Sequence, residues 1–201
     1  MGRVQSAETI RAFVALDLDA RSVRRVVRVA DRLRMASGAP SATWTAPENV
    51  HVTLKFMADL PATAIDPTVK ALATLVDAKD APPLGACSLR AFPSVEQASV
   101  IVIELADPVG DLAKLAAKID KLVSRHGVAR ESRAFVPHVT LARLKRPYDS
   151  GRWLIPGLAE SAGEFIASHL TLYRSDLGGA RDGSAAYVPL ARYAYGSEGV
   201  R

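Results

Sequence analysis

The sequence contains the tetrapeptide His-Val-Thr-Leu twice, in HVTLKF at 51–56 and in HVTLAR at 138–143. Successive side chains of a strand point to opposite faces, so the His and Thr of each copy share one face while Val and Leu share the other. Each copy therefore predicts a half-buried strand that presents an imidazole and a hydroxyl side by side. Two such strands in a chain of 201 residues predict two matched halves.

Strand and helix patterns alternate along the chain in two comparable blocks. Apolar residues at helical spacing predict helices over 20–37, 62–80 and 107–127, the last with Asp107 as a cap candidate and Gly127 as a terminator. β-favouring segments predict strands over 10–18, 43–60, 84–94, 98–107, 134–144, 164–177 and 185–195. No linker rich in Gly and Ser divides the chain. We therefore predict an α+β fold with a duplicated architecture, in one domain covering residues 1–201.

Composition restricts the partners and the compartment. Twenty-six Lys and Arg against 21 Asp and Glu give a net charge of +5, and the excess is scattered rather than gathered into a basic tail. This favours an acidic small substrate or an RNA end over extensive duplex wrapping, although a mildly basic solvated surface explains the charge equally well. Cys87 is the only cysteine, which excludes an internal disulfide and a cysteine-based zinc site. With no signal peptide and no membrane-spanning run, we expect a cytoplasmic protein without a membrane partner.

The two tetrapeptides have the chemistry needed for displacement at phosphorus. If the two halves pack with approximate two-fold symmetry, His51 and His138 flank one site. Imidazole titrates near 6.5, so one ring can accept a proton while the other donates one. The hydroxyls of Thr53 and Thr140 can hold the non-bridging phosphate oxygens. We predict His51 and His138 as the catalytic pair, with no metal and no cofactor.

Two further histidines have simpler explanations. HLTL at 169–172 is a third His-x-Thr-Leu, but only two copies can form the pair, and a strand histidine beside a threonine is usually a satisfied surface or edge residue. We therefore expect His169 to be dispensable. His126 precedes Gly127 at the predicted end of a helix, where a cation interacts favourably with the free carbonyls, and is interpreted as structural.

Four segments together resemble a known family: RAFVALDL, WTAPENVHVTLKFMADL, RAFVPHVTLARL and LTLYRSDLGGARDGSAAYVPLARYAY. The chain is similar, over nearly its full length, to 2H phosphoesterases, specifically the LigT-like RNA 2′,3′-cyclic phosphodiesterases of bacteria and archaea. The resemblance implies a bilobal α+β fold in which two antiparallel sheets line a central cleft and the helices lie outside. It also implies metal-independent opening of a terminal 2′,3′-cyclic phosphate of RNA to a 2′-phosphomonoester, with tRNA fragments among the candidate partners. We expect a monomer.

The resemblance also implies roles for individual residues. His51 would donate a proton to the leaving 3′ oxygen and His138 would activate water, while Thr53 and Thr140 hold the phosphate. Arg143 would pair with phosphate or stack on a base, although regular alternation puts it on the face of Val139 and Leu141 unless the strand bulges. Phe13 resembles a position that stacks on the terminal base, with core packing as the alternative.

Other residues near the motifs are weaker candidates. Alternation puts Lys55 on the face of His51, where it could reach phosphate or lie solvated at the strand end. Trp44 could roof the cleft but more commonly such a residue packs in the core. Candidate RNA contacts without individual support are Arg133, Arg174 and Arg181.

Two alternative functions remain open. The same chemistry could act on another cyclic phosphate or on a 2′-5′ linked oligonucleotide, because the loops that line the substrate cannot be interpreted from the sequence. The chain could also be an RNA-end binding or 2′-5′ ligation factor with negligible turnover. Two titrating groups argue against pure binding, which does not need them.

Overall fold

The computed structural model describes residues 8–36, 42–76, 81–178 and 185–196. Within these ranges the chain forms nine strands and three α-helices. The strands are β1 Thr9–Leu18, β2 Ala42–Trp44, β3 His51–Pro61, β4 Leu84–Phe92, β5 Ala98–Ala106, β6 His138–Tyr148, β7 Glu164–Phe165, β8 Ala167–Asp176 and β9 Ala186–Ala194. The helices are α1 Ala20–Ala36, α2 Ile65–Val76 and α3 Asp111–Ser124. The predicted mixture of strands and helices is confirmed.

The strands form one antiparallel sheet in the order β7-β4-β5-β6-β3-β1-β8-β9, with β2 added on β6. Its two halves meet where β3 lies beside β6, and the only residues paired there are Val52 and Val139, among the residues described. The two antiparallel sheets implied by the resemblance are therefore not confirmed, because this pairing joins the strands into one sheet. Both valines are fully buried, so apolar packing accompanies the junction. The bilobal duplication stays a prediction.

The helices bury apolar stripes against the strands. In α1, Val26, Val29 and Leu33 are buried at the spacing of one helical face. Burial of a large aliphatic side chain contributes about 1.5–3 kcal/mol, so these stripes fix the helices on the sheet. The corresponding buried residues of the other helices are Leu72 and Val76 in α2, and Leu112, Ala116, Ile119 and Val123 in α3.

Among the residues described, no helix is long and apolar enough to cross a membrane.

Helix α3 begins at a cap that the sequence indicated. Gly110 is the residue before the first turn and has a φ of 72°, a conformation that glycine adopts readily. The carboxylate of Asp107 nevertheless accepts hydrogen bonds from the backbone N–H groups of Leu112 and Ala113, at 3.1 and 2.9 Å. These groups have no partner within the helix, so Asp107 supplies the expected N-terminal acceptor.

Both motif strands contain a β-bulge at the leucine of the tetrapeptide. Along β3, Thr53 pairs with Ala15 and Lys55 with Val14, which leaves Leu54 unmatched. Along β6, Thr140 pairs with Val102 and Ala142 with Ile101, which leaves Leu141 unmatched. A bulge puts two residues of one strand against one of its neighbour. The side-chain alternation is therefore reversed after each leucine.

The bulge overturns the predicted position of Lys55. This residue is 5% exposed and lies on the helix-packed side of β3 rather than on the face of His51. Its Nζ is 2.7 Å from Asp120 Oδ1 and donates to the carbonyl of Ala129 at 2.8 Å. Asp120 also contacts Arg130 Nε at 2.6 Å. Burial opposes ionisation of Asp120, but the hydrogen bonds from Lys55 and the Glu131 N–H outweigh it and lower its pKa.

Asp120→Ala should destabilise the protein by about 3 kcal/mol or more, because it leaves the Lys55 ammonium buried without its partner. The double variant Lys55→Met/Asp120→Leu should recover most of this loss, since no buried charge remains. Urea denaturation of each variant measures the free energy of unfolding. Asp176→Ala, which breaks the more exposed pair with Arg174, is the control and should cost at most about 1 kcal/mol. Equal losses for Asp120→Ala and the control would contradict the prediction.

Candidate active site

The two motif histidines are anchored in the same way. His51 Nδ1 is 2.7 Å from the carbonyl oxygen of Asn49, and His138 Nδ1 is 2.7 Å from that of Val136. A carbonyl oxygen only accepts, so in each ring Nδ1 carries the proton and donates it. Nε2 of the neutral ring is then the free acceptor. Each anchor is the backbone two residues earlier, and both histidines therefore present the same nitrogen for chemistry.

The β3–β6 pairing brings the two His-Thr pairs together. Because Val52 lies opposite Val139 in an antiparallel pair, the same register sets His51 against Thr140 and Thr53 against His138. In a regular antiparallel pair, such diagonal neighbours as His51 and His138 are separated by roughly 7–8 Å. The valines point to the core, so the four polar side chains share the other face. Thr53 Oγ1 is 3.1 Å from His51 Nε2 and donates to it when the ring is neutral.

Arg143 lies on this polar face because of the bulge at Leu141. Its side chain is exposed, whereas its neighbours Ala142 and Leu144 are buried. Its positive charge lowers the pKa of both His51 and His138, which places it within electrostatic reach of the two rings. The sequence analysis placed Arg143 on this face only if the strand contained a bulge, and the position of a bulge could not be predicted from the sequence.

Burial keeps both histidines neutral near pH 7. Loss of hydration lowers the pKa of His51 to about 4, against the opposing effects of the Asn49 hydrogen bond and the Asp17 charge. The charges of His138 and Arg143 lower it further. Burial also lowers the pKa of His138, partly offset by its bond to Val136. An anion among these groups would raise both pKa values, because it stabilises the charged rings.

Phe13 lies under His51. The two rings stack with centroids 4.9 Å apart, and the ring of Tyr173 stacks on Phe13 at 5.1 Å. Tyr187 meets Phe13 edge-on at 4.9 Å, and only 4% of Phe13 is exposed. In this structure Phe13 therefore supports the ring of His51, and its role as a stacking partner for a base stays a prediction.

Asp17 is a site residue that the sequence analysis missed. It lies opposite His51 on β1 and is 6% exposed. Its carboxylate accepts hydrogen bonds from Thr171 Oγ1 at 2.8 Å, Tyr173 OH at 2.8 Å and Arg192 Nε at 2.9 Å. An acidic residue inside the apolar run FVALDL was the available signal. Its partners come from two distant strands, β8 and β9, whose pairing the sequence did not reveal.

A cavity of about 170 Å³ lies beside His51. It is bounded by the end of β1, the start of α1, the 3-10 turn Pro47–Asn49 and strands β8 and β9. Acidic, basic and phenolic groups all line it, so it can accommodate a polar ligand adjacent to the histidine. The lining residues are Asp17, Leu18, Val23, Pro47, Glu48, Val50, His51, Tyr173, Tyr187 and Arg192.

His169 and His126 lie apart from the pair. His169 is on β8, opposite Asp17, and its Nδ1 is 3.0 Å from Ser168 Oγ. It is therefore two strands away from His51 in the sheet. His126 follows the end of α3, where its N–H donates to Val123, as expected for a helix terminus.

The weaker candidates have local partners. Trp44 stacks on Trp153 at 5.8 Å, which agrees with a packing role. Arg133 pairs with Glu131, and Arg174 pairs with Asp176. Arg181 lies outside the described residues. Within the described ranges, no group of three or more His, Cys, Asp or Glu is arranged to hold a metal ion.

Residues 22–179 match the family model described as the 2'-5' RNA ligase superfamily. The chain belongs to the 2′-5′ RNA ligase superfamily. The match spans most of α1, both histidine motifs and all of β8, and so includes His51, Thr53, His138, Thr140 and Arg143. The resemblance found in the sequence to 2H phosphoesterases is thereby confirmed.

The chain is also similar to curated relatives in sequence and to solved structures in fold. The chain is 29% identical over 141 residues to an RNA 2′,3′-cyclic phosphodiesterase of Aquifex aeolicus, covering 69% of this chain and 72% of the relative. It is 27% identical over 176 residues to the enzyme of the same name from Methanothermobacter thermautotrophicus, covering 84% and 91%. Crystal structures of E. coli LigT with 3′-AMP and of a Thermus thermophilus protein share the fold. Their TM-scores are 0.65 and 0.72 at 24% and 20% identity, over 94% of this chain and 99% and 100% of theirs.

In this superfamily member, NMR of the ring nitrogens should find His51 neutral and Nδ1-protonated down to about pH 4. Arg143→Gln should raise the pKa of both His51 and His138, because it removes a positive charge that disfavours their protonation. Arg146→Gln, at the exposed end of the same strand, is the matched control and should leave both unchanged. Titration of His51 at its ordinary value near 6.5 would contradict the burial of its ring.

Proposed function

We propose that the protein is an RNA 2′,3′-cyclic phosphodiesterase that opens a terminal 2′,3′-cyclic phosphate to a 2′-phosphomonoester. The observation that carries this proposal is the pair of histidines with identical Nδ1 anchors, which leaves Nε2 of each neutral ring unprotonated and able to accept a proton. Relatives that carry this name, at 27–29% identity, support the substrate class. RNA ends, including those of tRNA fragments, are the proposed partners.

The proposed reaction needs one proton acceptor and one proton donor. His138 Nε2 takes a proton from water as the water oxygen bonds to phosphorus, and His51 Nε2 gives a proton to the 3′ oxygen as its bond to phosphorus breaks. Thr53, Thr140 and Arg143 hold the non-bridging oxygens, whose charge must be stabilised in the transition state. With a 5′-hydroxyl in place of water, His138 Nε2 takes the hydroxyl proton as its oxygen bonds to phosphorus and the 3′ oxygen leaves as before, so the same site also accommodates 2′-5′ ligation.

The low pKa values of the free histidines have a consequence for this mechanism. The donor must acquire its proton in a site where burial disfavours the charge. The anionic phosphate of the substrate supplies the compensating interaction, so substrate binding and protonation are coupled. A metal is not needed for either proton transfer, and the proposal is that none takes part.

His51→Ala and His138→Ala should each lower the hydrolysis rate by about 10²–10⁴-fold, because each removes one proton-transfer group. Thr53→Val and Thr140→Val should each cost about tenfold or more through lost stabilisation of the phosphate oxygens. Phosphorus NMR of an RNA ending in 2′,3′-cyclic phosphate, in excess EDTA, identifies the 2′-phosphomonoester directly. His169→Ala is the matched control, a strand histidine beside a threonine, and should retain most activity.

Wild-type rates in both His51→Ala and His138→Ala would end the two-histidine proposal. A cyclic phosphate left intact by the wild-type protein would direct the same assay to a cyclic nucleoside monophosphate and a 2′-5′ dinucleotide. Turnover of either would keep the chemistry and change the substrate. Tight, salt-sensitive RNA binding with no product from any of them would support a binding factor instead.

The pH dependence of kcat/KM should be bell-shaped, with its maximum on the acidic side of 6.5. The productive form has one histidine protonated and one neutral, and it is most abundant between the two apparent pKa values of the pair. Both pKa values are lowered from 6.5, so the rate should rise as the pH falls from 8 and should decline again when both rings are charged. Initial rates measured from pH 4 to 9 test this. A maximum above pH 7 would contradict it.

A further inference from the structure

The polar face of the site continues from the motif strand β6 across β5 to β4. Directly opposed side chains of an antiparallel pair share a face, so the neighbours of His138, Thr140 and Arg143 in the sheet lie on the same face as these residues. Three rows of such neighbours cross the three strands. They are His138 with Glu104 and Ser88, Thr140 with Val102 and Arg90, and Arg143 with Val100 and Phe92.

Arg90 and Phe92 form a stack on this face, next to His138. The Arg90 guanidinium carbon lies 5.2 Å from the centre of the Phe92 ring, and Arg90 donates to Glu104 at 2.8 Å. The Phe92 ring meets the His138 ring edge-on, with centroids 5.4 Å apart. The side chain of Arg90 is nevertheless 45% exposed, so a planar group held by two partners is accessible from solvent. Guanidinium planes and aromatic rings are the surfaces on which nucleobases stack.

The stack and the cavity beside His51 lie on opposite sides of the histidine pair. The cavity lies beyond His51, next to β1, β8 and β9, and none of its lining residues belongs to β4, β5 or β6. The stack lies beyond His138, on the strand two positions away from β6 in the sheet. A phosphate held between the histidines would therefore have a polar cavity on one side and a stacking surface on the other.

We propose that Arg90 and Phe92 form a stacking subsite for the nucleoside whose 5′-hydroxyl attacks the cyclic phosphate in 2′-5′ ligation. This inference rests on the proposed function, in which His138 serves the attacking oxygen. Attacking and leaving oxygens at phosphorus lie roughly in line, on opposite sides of the transferred group. The terminal nucleoside carries the leaving 3′ oxygen beside His51. The nucleoside that carries the attacking oxygen must then lie on the side of His138, where the stack is.

The step is balanced within the site and needs no co-reactant. The 5′ oxygen bonds to phosphorus as the bond between phosphorus and the 3′ oxygen breaks, while the 2′ oxygen stays bonded. The 5′-hydroxyl proton passes to His138 Nε2, and the 3′ oxygen takes a proton from His51 Nε2. The product is a 2′-5′ phosphodiester beside a free 3′-hydroxyl. Water competes for the same position, so occupation of the stack by a nucleoside favours ligation over hydrolysis.

Binding to the stack is measured by calorimetry with two ligands that cannot react. One is 3′-deoxyadenylyl-(2′-5′)-adenosine, which lacks the 3′-hydroxyl next to the phosphate. The other is the methyl ester of 3′-deoxyadenosine 2′-phosphate. Both are diesters with one negative charge, so they differ only in the second nucleoside. The wild-type protein should bind the dinucleotide at least about fivefold more tightly, as expected from the stacking of one base.

Arg90→Lys should remove most of this affinity ratio, because lysine keeps the positive charge beside Glu104 but lacks the planar guanidinium. Phe92→Leu, which removes the ring of the stack, should have the same effect. The matched control is Arg34→Lys, the same change at an arginine of α1 that lies 5.0 Å from the centre of the Trp44 ring, and it should keep the wild-type ratio. Thermal unfolding checks that all three variants fold.

The reaction is followed by phosphorus NMR with uridine 2′,3′-cyclic monophosphate and saturating adenosine. The wild-type protein should form the 2′-5′ diester as well as the 2′-phosphomonoester, and the ratio of diester to monoester should fall at least about fivefold in Arg90→Lys. A change that acts on the histidines alters both products together and leaves this ratio unchanged. The ratio therefore reports on the nucleoside subsite.

Equal affinity of the wild-type protein for the two ligands would overturn the proposal, as would an unchanged affinity ratio in Arg90→Lys and Phe92→Leu. Equal weakening of both ligands in Arg90→Lys would overturn it by assigning Arg90 to the phosphate. Formation of the monoester alone at saturating adenosine would also overturn it. Failure of the proposed function is distinguishable, because the wild-type protein would then open no cyclic phosphate, while the comparison of the two ligands needs no turnover and still tests the stack.

Discussion

The pairing of Val52 with Val139 is the contact on which the site depends. One strand carries His51 and Thr53, the other carries His138 and Thr140, and this pairing makes them neighbours. Since side chains alternate across a strand, burying both valines forces both His-Thr pairs to the opposite face. A shift of one residue in either strand would turn its histidine into the core. The packing of two apolar side chains thus fixes the geometry of the polar ones.

The electrostatics of the site follow from the same packing. The rings are held against the sheet by backbone carbonyls and, for His51, by the stacked ring of Phe13. This fixes their tautomer but removes water that would stabilise their charged forms, so the pKa values fall. The packing that orients the rings of His51 and His138 therefore also disfavours their protonation. Only Asp17 and Glu104 offset this with negative charge among the groups found to act on the two rings.

The sequence predicted those features that depend on local pattern. The order of strands and helices, the Asp107 cap and the two motif strands are all encoded in residues adjacent in the chain. The bulges at Leu54 and Leu141 are not, because each depends on how a neighbouring strand pairs. For that reason the sequence analysis placed Lys55 on the wrong face, and it placed Arg143 on the polar face only on the condition of a bulge. The Asp17 cluster was missed because its hydrogen-bond donors lie more than a hundred residues away.

The two motifs match in backbone but not in charge. Counting from each histidine across its bulge, Phe56 of the first copy corresponds to Arg143 of the second, and both are exposed. Phe56 lies under the guanidinium of Arg11, which is 4.3 Å from its ring centre. Arg143 instead acts on both histidines. The guanidinium that acts on both histidines is therefore carried by the second motif strand. An anionic group bound between the histidines would interact unequally with the two strands. The two nearly symmetric halves of the site are therefore not equivalent toward a bound anion.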